Sequence, residues 1–229
     1  MLEVIACSVA DAVEAERGGA GRLEVVSNLA AGGLTPPLGL VSEILAVVSI
    51  PARVMLRESA GYTVTDAAEM DRLCASARDL ARLPVDGLVL GFLSGREVDV
   101  DLTRLILSCA PNLKATFHHA FEETADPLGT TLRLKGFGGQ VDRILTAGGG
   151  GDWPQKIARL ASYERAARPE ITILAGGGLD AGVIKSIRAA TSVREFHVGR
   201  AVRLPQSARG VVRASKVREL LRLLEAEPA

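Results

Sequence analysis

The sequence has little cysteine and few aromatic residues. Its 229 residues include three cysteines, in no CxxC arrangement, and aromatic residues make up 3% of the chain. Three widely spaced cysteines exclude a disulfide framework and predict a reducing, cytoplasmic environment. The N-terminus has no basic segment followed by an apolar stretch, so no signal peptide is expected.

An excess of charge and long apolar runs are also missing. Basic and acidic residues number 27 each, so no net field favours nucleic acid or an anionic membrane surface as a partner. The chain has no run of about 18 apolar residues, which excludes a transmembrane helix. Small molecules and metal ions remain as partners.

Short runs rich in Val, Ile and Leu alternate with longer segments of helical character. Eight such pairs are typical of a (β/α)8 TIM barrel, and we predict one α/β domain over residues 1–229. The alternative is a doubly wound open sheet, which would usually carry a GxGxxG turn where this chain reads CSVADA. The predicted strands are Leu2–Cys7, Arg22–Ser27, Ala52–Arg57, Gly87–Phe92, Lys114–His119, Arg143–Ala147, Thr172–Ala175 and Glu195–Val198. The predicted helices begin near Val9, Pro37, Thr65, Asp99, Asp126, Trp153, Asp180 and Arg209.

Polar residues inside apolar strands mark a candidate site, because the carboxyl ends of barrel strands carry the active face. Glu3 and Glu24 lie in the first two strands, and His118 lies in the fifth, in the run TFHHAFEE. Carboxylates beside a histidine suit acid–base work or a hard divalent ion. In this interpretation Arg57 is the charge partner of the carboxylates. The alternative is a purely structural cluster of buried ion pairs and a core histidine.

Glycine-rich segments follow the last three predicted strands. The triplet Gly176, Gly177 and Gly178 and the pair Gly199 and Arg200 could bind a phosphate group through backbone amides. The alternative is that these glycines only permit tight turns.

One thiol, that of Cys7, is predicted at the end of the first strand, where it could bind a soft metal such as Cu(I). Cys7, Glu24 and His118 are therefore the candidate metal ligands. Cys74 and Cys109 fall on predicted helices outside the barrel, where packing is the expected role.

Several segments, in order along nearly the whole chain, resemble the CutC family. They are the opening LEVIACSVADAVEAERGGAGRLEVVSNLAAGGLTPPLG and the later runs ATFHHAFEETADPL, RILTAGG, AGGGL and REFHVGRA. The resemblance implies a barrel, often dimeric, and a link to copper handling. It also implies a site region at Glu3, Glu24, Arg57, His118 and Glu122.

The chain departs from the family pattern at the expected mouth of the barrel. ESAGY follows Arg57 where the family has a PRGGD-like loop, His119 replaces an arginine, and Glu122 replaces an aspartate. These changes suggest an altered ligand preference. Two functions therefore stay open: a cytoplasmic copper-homeostasis protein that binds copper, or an enzyme that acts on a small polar or phosphorylated metabolite. The second would use acid–base groups, with a divalent metal or no cofactor.

Overall fold

Eight parallel strands close into one barrel in the computed structural model, which describes residues 1–64 and 66–225, without the side chains of residues 223 and 225. Each strand pairs with its neighbours along the chain, and the last pairs with the first. This confirms the predicted (β/α)8 barrel. The strands are β1 Leu2–Ala6, β2 Arg22–Val25, β3 Ala52–Met55, β4 Gly87–Leu90, β5 Lys114–Phe117, β6 Val141–Thr146, β7 Thr172–Ala175 and β8 Glu195–Val198.

A helix follows each strand, and most of these helices begin at a side-chain cap. Ser8, Asp66, Asp99, Asp126, Asp152 and Asp180 each accept a hydrogen bond from a backbone N–H of the first turn, which satisfies a donor that the helix leaves free. The predicted start at Thr65 lies outside the described residues. The helices are α1 Val9–Gly18, α2 Leu38–Leu45, α3 Ala67–Leu80, α4 Val100–Cys109, α5 Pro127–Lys135, α6 Trp153–Ala167, α7 Ala181–Ala190 and α8 Ala214–Glu225.

The last helix begins later than the predicted start near Arg209. A short antiparallel hairpin, Arg203–Leu204 with Val211–Val212, occupies that stretch. Buried Arg203 holds the hairpin to the barrel, because its guanidinium donates to the carboxylate of Asp11 at 2.9 Å and to the carbonyl of Ile5 at 3.0 Å.

Side chains alternate between the helix layer and the barrel interior, as the two-residue period of a strand requires. In β1, Leu2 and Val4 belong to the main core under the helices, whereas Ile5 belongs to a smaller apolar cluster inside the barrel. The inward positions therefore decide what the barrel can bind.

The barrel interior is charged toward the N-terminal ends of the strands. Three arginines, from β2, β3 and β6, alternate with carboxylates in a continuous series of ion pairs: Glu3–Arg22–Glu195–Arg143–Asp142–Arg53–Asp86. The series reaches the N-terminal ends of the strands, where Asp86 is 37% exposed. Buried charges need such partners, and this network supplies them.

In the part of the chain that the structure describes, no helix is both long enough and apolar enough to cross a membrane.

Candidate active site

A cavity of about 1060 Å³ opens at the carboxyl ends of the strands, and we call it the mouth cavity. Of the predicted site residues, Glu24, Arg57, His118, Glu122, Gly177, Gly178, Gly199 and Arg200 line it. Glu3 lies one layer deeper, opposite Arg22, whereas Glu24 lies opposite Ile5.

Glu3 is held between a histidine and an arginine. The strand register places it opposite His197 of β8 on one side and opposite Arg22 of β2 on the other. Nδ1 of His197 lies 2.7 Å from Oε1 of Glu3, and Nε of Arg22 donates to Oε2. Burial alone would raise the pKa of Glu3, but the hydrogen bond from His197 and the charge of Arg22 prevail and lower that pKa to about 2. Glu3 is therefore an ionised acceptor, and the His197 nitrogen facing it carries a proton.

The other nitrogen of His197 faces Glu24. Its Nε2 lies 3.7 Å from Oε2 of Glu24, and both side chains are buried. Burial raises the pKa of Glu24, with the charge of Glu3 adding to the rise and that of His197 opposing it. Burial disfavours the charged form of His197, yet Glu24 and Glu3 together raise its pKa. Both groups thus hold protons more tightly than usual, and we call these three residues the Glu3–His197–Glu24 cluster.

Glu24 retains an unused acceptor. Its Oε1 is buried and has no hydrogen-bond partner among the described residues. A buried polar atom without a partner is costly. The residue that carries this oxygen is one of those that line the mouth cavity.

Arg57 does not pair with these carboxylates, so its predicted role as their charge partner is wrong. The two inward residues nearer to Glu3, Arg22 and His197, take that role, because strand register sets them beside it. Arg57 instead donates to the carbonyl oxygens of Ala60 and of Gly61, the latter at 3.3 Å.

His118 points inward and lines the mouth cavity as predicted, but its hydrogen bond is local. Its Nδ1 accepts from the backbone N–H of Ala120 at 3.2 Å. A Cβ added to Gly91 would lie 2.5 Å from that nitrogen, so the glycine makes room for the ring. Burial, the charge of Arg57 and that of His119 lower the pKa of His118 to about 3. The ring is neutral at neutral pH.

Glu122 stabilises the segment after β6. Its Oε1 accepts from the hydroxyl of Thr146 at 2.9 Å and from the backbone N–H of Ala147, and it lies 3.2 Å from Nδ1 of His119. Burial alone would raise the pKa of Glu122, but the hydrogen bond from His119 and these other donors lower it. An ionised Glu122, bonded through Oε1, positions the segment.

The glycines after β7 and β8 are explained at least in part by packing. A Cβ on Gly176 would lie 2.5 Å from Leu145, and one on Gly199 would lie 2.8 Å from Ile5. Gly177 adopts φ +84°, a left-handed conformation that favours glycine. Arg200 is exposed at the cavity rim. These features leave the predicted anion-binding role of the segment open.

The predicted metal ligands Cys7, Glu24 and His118 do not meet as a group. In the described chain, the group of three whose ligand atoms all lie within 4.8 Å is Glu3, Glu24 and His197. Cys7 is half-buried, its Sγ accepts from Arg203 at 3.5 Å, and burial raises the pKa of its thiol. Cys74 and Cys109 lie on α3 and α4, outside the barrel as predicted.

Sequence reasoning misses the contacts that His197 and Arg22 make with Glu3. His197 is visible at the end of the eighth strand, but the polar run in the fifth strand favours His118, across the barrel. Barrel closure is the signal that could have found His197, because closure makes the eighth strand a neighbour of the first.

Comparisons with known proteins agree with the family resemblance of the sequence motifs. The CutC family profile matches residues 1–202. A CutC family protein from Xylella fastidiosa is 35% identical over 94% of this chain and 78% of its own length. The mouse copper homeostasis protein cutC homolog is 32% identical over 86% of this chain and 72% of its own length. The crystal structure of a CutC protein from Streptococcus agalactiae superimposes with a TM-score of 0.78 and 26% identity, over 87% of this chain and 97% of that one. The chain therefore belongs to the CutC family.

Proposed function

We propose that the protein is an enzyme that transfers protons to and from a small polar metabolite bound in the mouth cavity. The observation that carries this proposal is the position of His197, with Nδ1 2.7 Å from Glu3 and Nε2 3.7 Å from Glu24. A carboxylate that fixes one ring nitrogen leaves the other free to exchange protons with a second group.

The roles of the three residues follow from their protonation. Ionised Glu3 keeps the proton on Nδ1 and stabilises the imidazolium form of His197. Glu24 and Nε2 of His197 hold one labile proton between them, and both have raised pKa values. Either group can deliver that proton to the metabolite or take one from it. Acid–base groups perform best when their pKa lies near the working pH, and the raised pKa of Glu24 moves it in that direction.

Proton exchange with solvent tests this function even while the product is unidentified. The protein is incubated in D2O with panels of 2-oxo acids, 2-hydroxy acids and sugar phosphates, and loss of C–H signals is followed by NMR. We expect exchange in at least one compound class, slowed roughly 100-fold or more in Glu24→Gln. Exposed Glu43 gives the matched control, Glu43→Gln. Equal exchange by wild type and Glu24→Gln would contradict the proposal.

Cu(I) does not fit the donor atoms of this cavity. The name of the mouse relative links it to copper homeostasis, and Cu(I) prefers thiolate and thioether ligands. Among the described residues that line the cavity, Met55 supplies the only sulfur. The clustered donors are instead two carboxylates and an imidazole. A contribution to copper homeostasis would then be indirect, through the metabolite.

Zn²⁺ fits the donor types better, but not their number. Both oxygens of Glu3 already accept from His197 and Arg22, so Glu24 and His197 remain, and catalytic zinc sites usually supply three protein ligands. Repeating the exchange assay after chelation separates the alternatives. Undiminished exchange supports acid–base catalysis by the side chains alone, and we expect this result.

The predicted cytoplasmic location and homodimer are part of the same proposal. Three free cysteines support a reducing compartment. Cell fractionation measures the location, and light scattering of the purified protein measures the oligomeric state.

A further inference from the structure

Arg57 is a buried cation without a carboxylate partner. It is 8% exposed, and its hydrogen bonds are accepted by the carbonyl oxygens of Ala60, of Gly61 and, at 3.5 Å, of Gly33. No carboxylate in the described chain forms an ion pair with it, and burial lowers the pKa of its guanidinium. Buried charges in proteins are normally paired or bound to a ligand. Carbonyl dipoles offset only part of the cost, and a bound anion would offset more of it.

His118 adds an unused donor to the same cavity. It is 3% exposed, and because Nδ1 accepts from Ala120, the proton of the neutral ring is on Nε2. That Nε2 is buried and has no hydrogen-bond partner among the described residues. A buried N–H without an acceptor is rare in folded proteins and calls for an explanation.

Tyr62 brings these two groups together. The guanidinium carbon of Arg57 lies 4.7 Å from the centre of the Tyr62 ring, and the centre of the His118 ring lies 5.2 Å from the same point. All three residues line the mouth cavity. Ala60, Gly61 and Tyr62 belong to the ESAGY segment, where this chain departs from the family pattern. The segment therefore both orients Arg57 and completes the wall.

We propose that Arg57 and His118 bind an anionic oxygen group, a carboxylate or a phosphate, of the molecule that occupies the mouth cavity. An oxyanion would compensate the guanidinium charge and accept from Nε2 of His118. It would do so in the same cavity that Glu24 and His197 line. That this anion belongs to the reacting metabolite rests on the proposed function; binding of the anion itself does not. Exposed Arg200 is the competing cation at the rim.

Titration of the full chain with inorganic phosphate and with acetate tests the subsite. Calorimetry gives the affinity, and the Nε2 signal of His118 is followed in protein labelled with 15N-histidine. We expect binding of at least one anion, with movement of that signal. The dissociation constant should rise about tenfold or more in Arg57→Gln and in His118→Gln, and less in Arg57→Lys. Exposed Arg104 provides the control Arg104→Gln, which should bind as wild type does. Tighter binding of phosphate would identify the molecule in the mouth cavity as a phosphate ester. Tighter binding of acetate would identify it as a carboxylic acid.

Three results would overturn the subsite: no binding of either anion by wild type, a stationary His118 signal, or loss of binding in Arg200→Gln but not in Arg57→Gln. The signal in wild type decides the matter even if a variant fails to fold. Glu24→Gln separates this subsite from the proposed function. It should slow proton exchange roughly 100-fold or more and still bind the anion, so each proposal can fail without the other.

Discussion

Glu3 and His197 are 194 positions apart in sequence, yet a 2.7 Å hydrogen bond joins their side chains across the closure of the barrel. Strand register sets the two residues directly opposite each other on β1 and β8. The bond fixes the tautomer of the imidazole, and Arg22 holds the carboxylate from the other side. Glu3 and Arg22 thus orient His197, which reaches the mouth cavity beside Glu24.

The two glutamates of the cluster should respond differently to the same substitution. In Glu3→Gln one acceptor oxygen must serve both Arg22 and His197, so one buried donor loses its partner. We expect a loss of roughly 3 kcal/mol in the free energy of unfolding. Glu24→Gln removes a charge whose burial is unfavourable, and its stability should match or exceed that of wild type. Urea denaturation measures both. Equal losses in the two variants would mean that the cluster is purely structural.

Acid should destabilise the protein through His118. Its pKa is lowered from 6.5 to about 3 in the folded protein, so between these values the unfolded chain binds the extra proton. The contribution of His118 to the free energy of unfolding is therefore complete above pH 6.5. As the pH falls below that value, this contribution decreases by about 1.4 kcal/mol per pH unit. The free energy of unfolding, measured at pH values between 6.5 and 4.5, should fall by about that much more per unit in wild type than in His118→Gln. Parallel curves would refute the assignment of a neutral, buried His118.

At lower pH Glu3 adds to the effect. Its pKa is lowered from 4.5 to about 2, so its stabilising contribution is complete above pH 4.5 and lost as pH falls toward 2. The contribution amounts to roughly 3 kcal/mol. Glu3→Gln should lack this second phase of acid destabilisation.

Cys7 should not contribute to Cu(I) binding. Its thiol has a raised pKa, and the thiolate is the form that binds metals. Titration against a Cu(I) competitor should give the same affinity for wild type and Cys7→Ser. A marked loss in Cys7→Ser would restore the soft-metal hypothesis.

The sequence was sufficient to predict the barrel, because each strand and helix carries its own local pattern. The predicted helix start near Asp180 agrees with the structure, in which Asp180 caps α7. The pairing of charges could not be predicted in the same way. It depends on register between strands distant in sequence, and a shift of one residue would turn Glu3 away from His197. The hydrogen bonds of Arg57 depend on the path of the ESAGY segment, for which the sequence has no periodic signal.

The most direct test of the proposed proton transfer is an NMR titration of His197 in wild type and Glu24→Gln. We expect Nδ1 of His197 to stay protonated at every pH at which the protein is folded, while Nε2 titrates with a pKa above the ordinary 6.5. In Glu24→Gln that pKa should fall, because the negative charge that supports the imidazolium is gone. A proton on Nε2 with Nδ1 bare, or a pKa that does not respond to Glu24→Gln, would contradict the account.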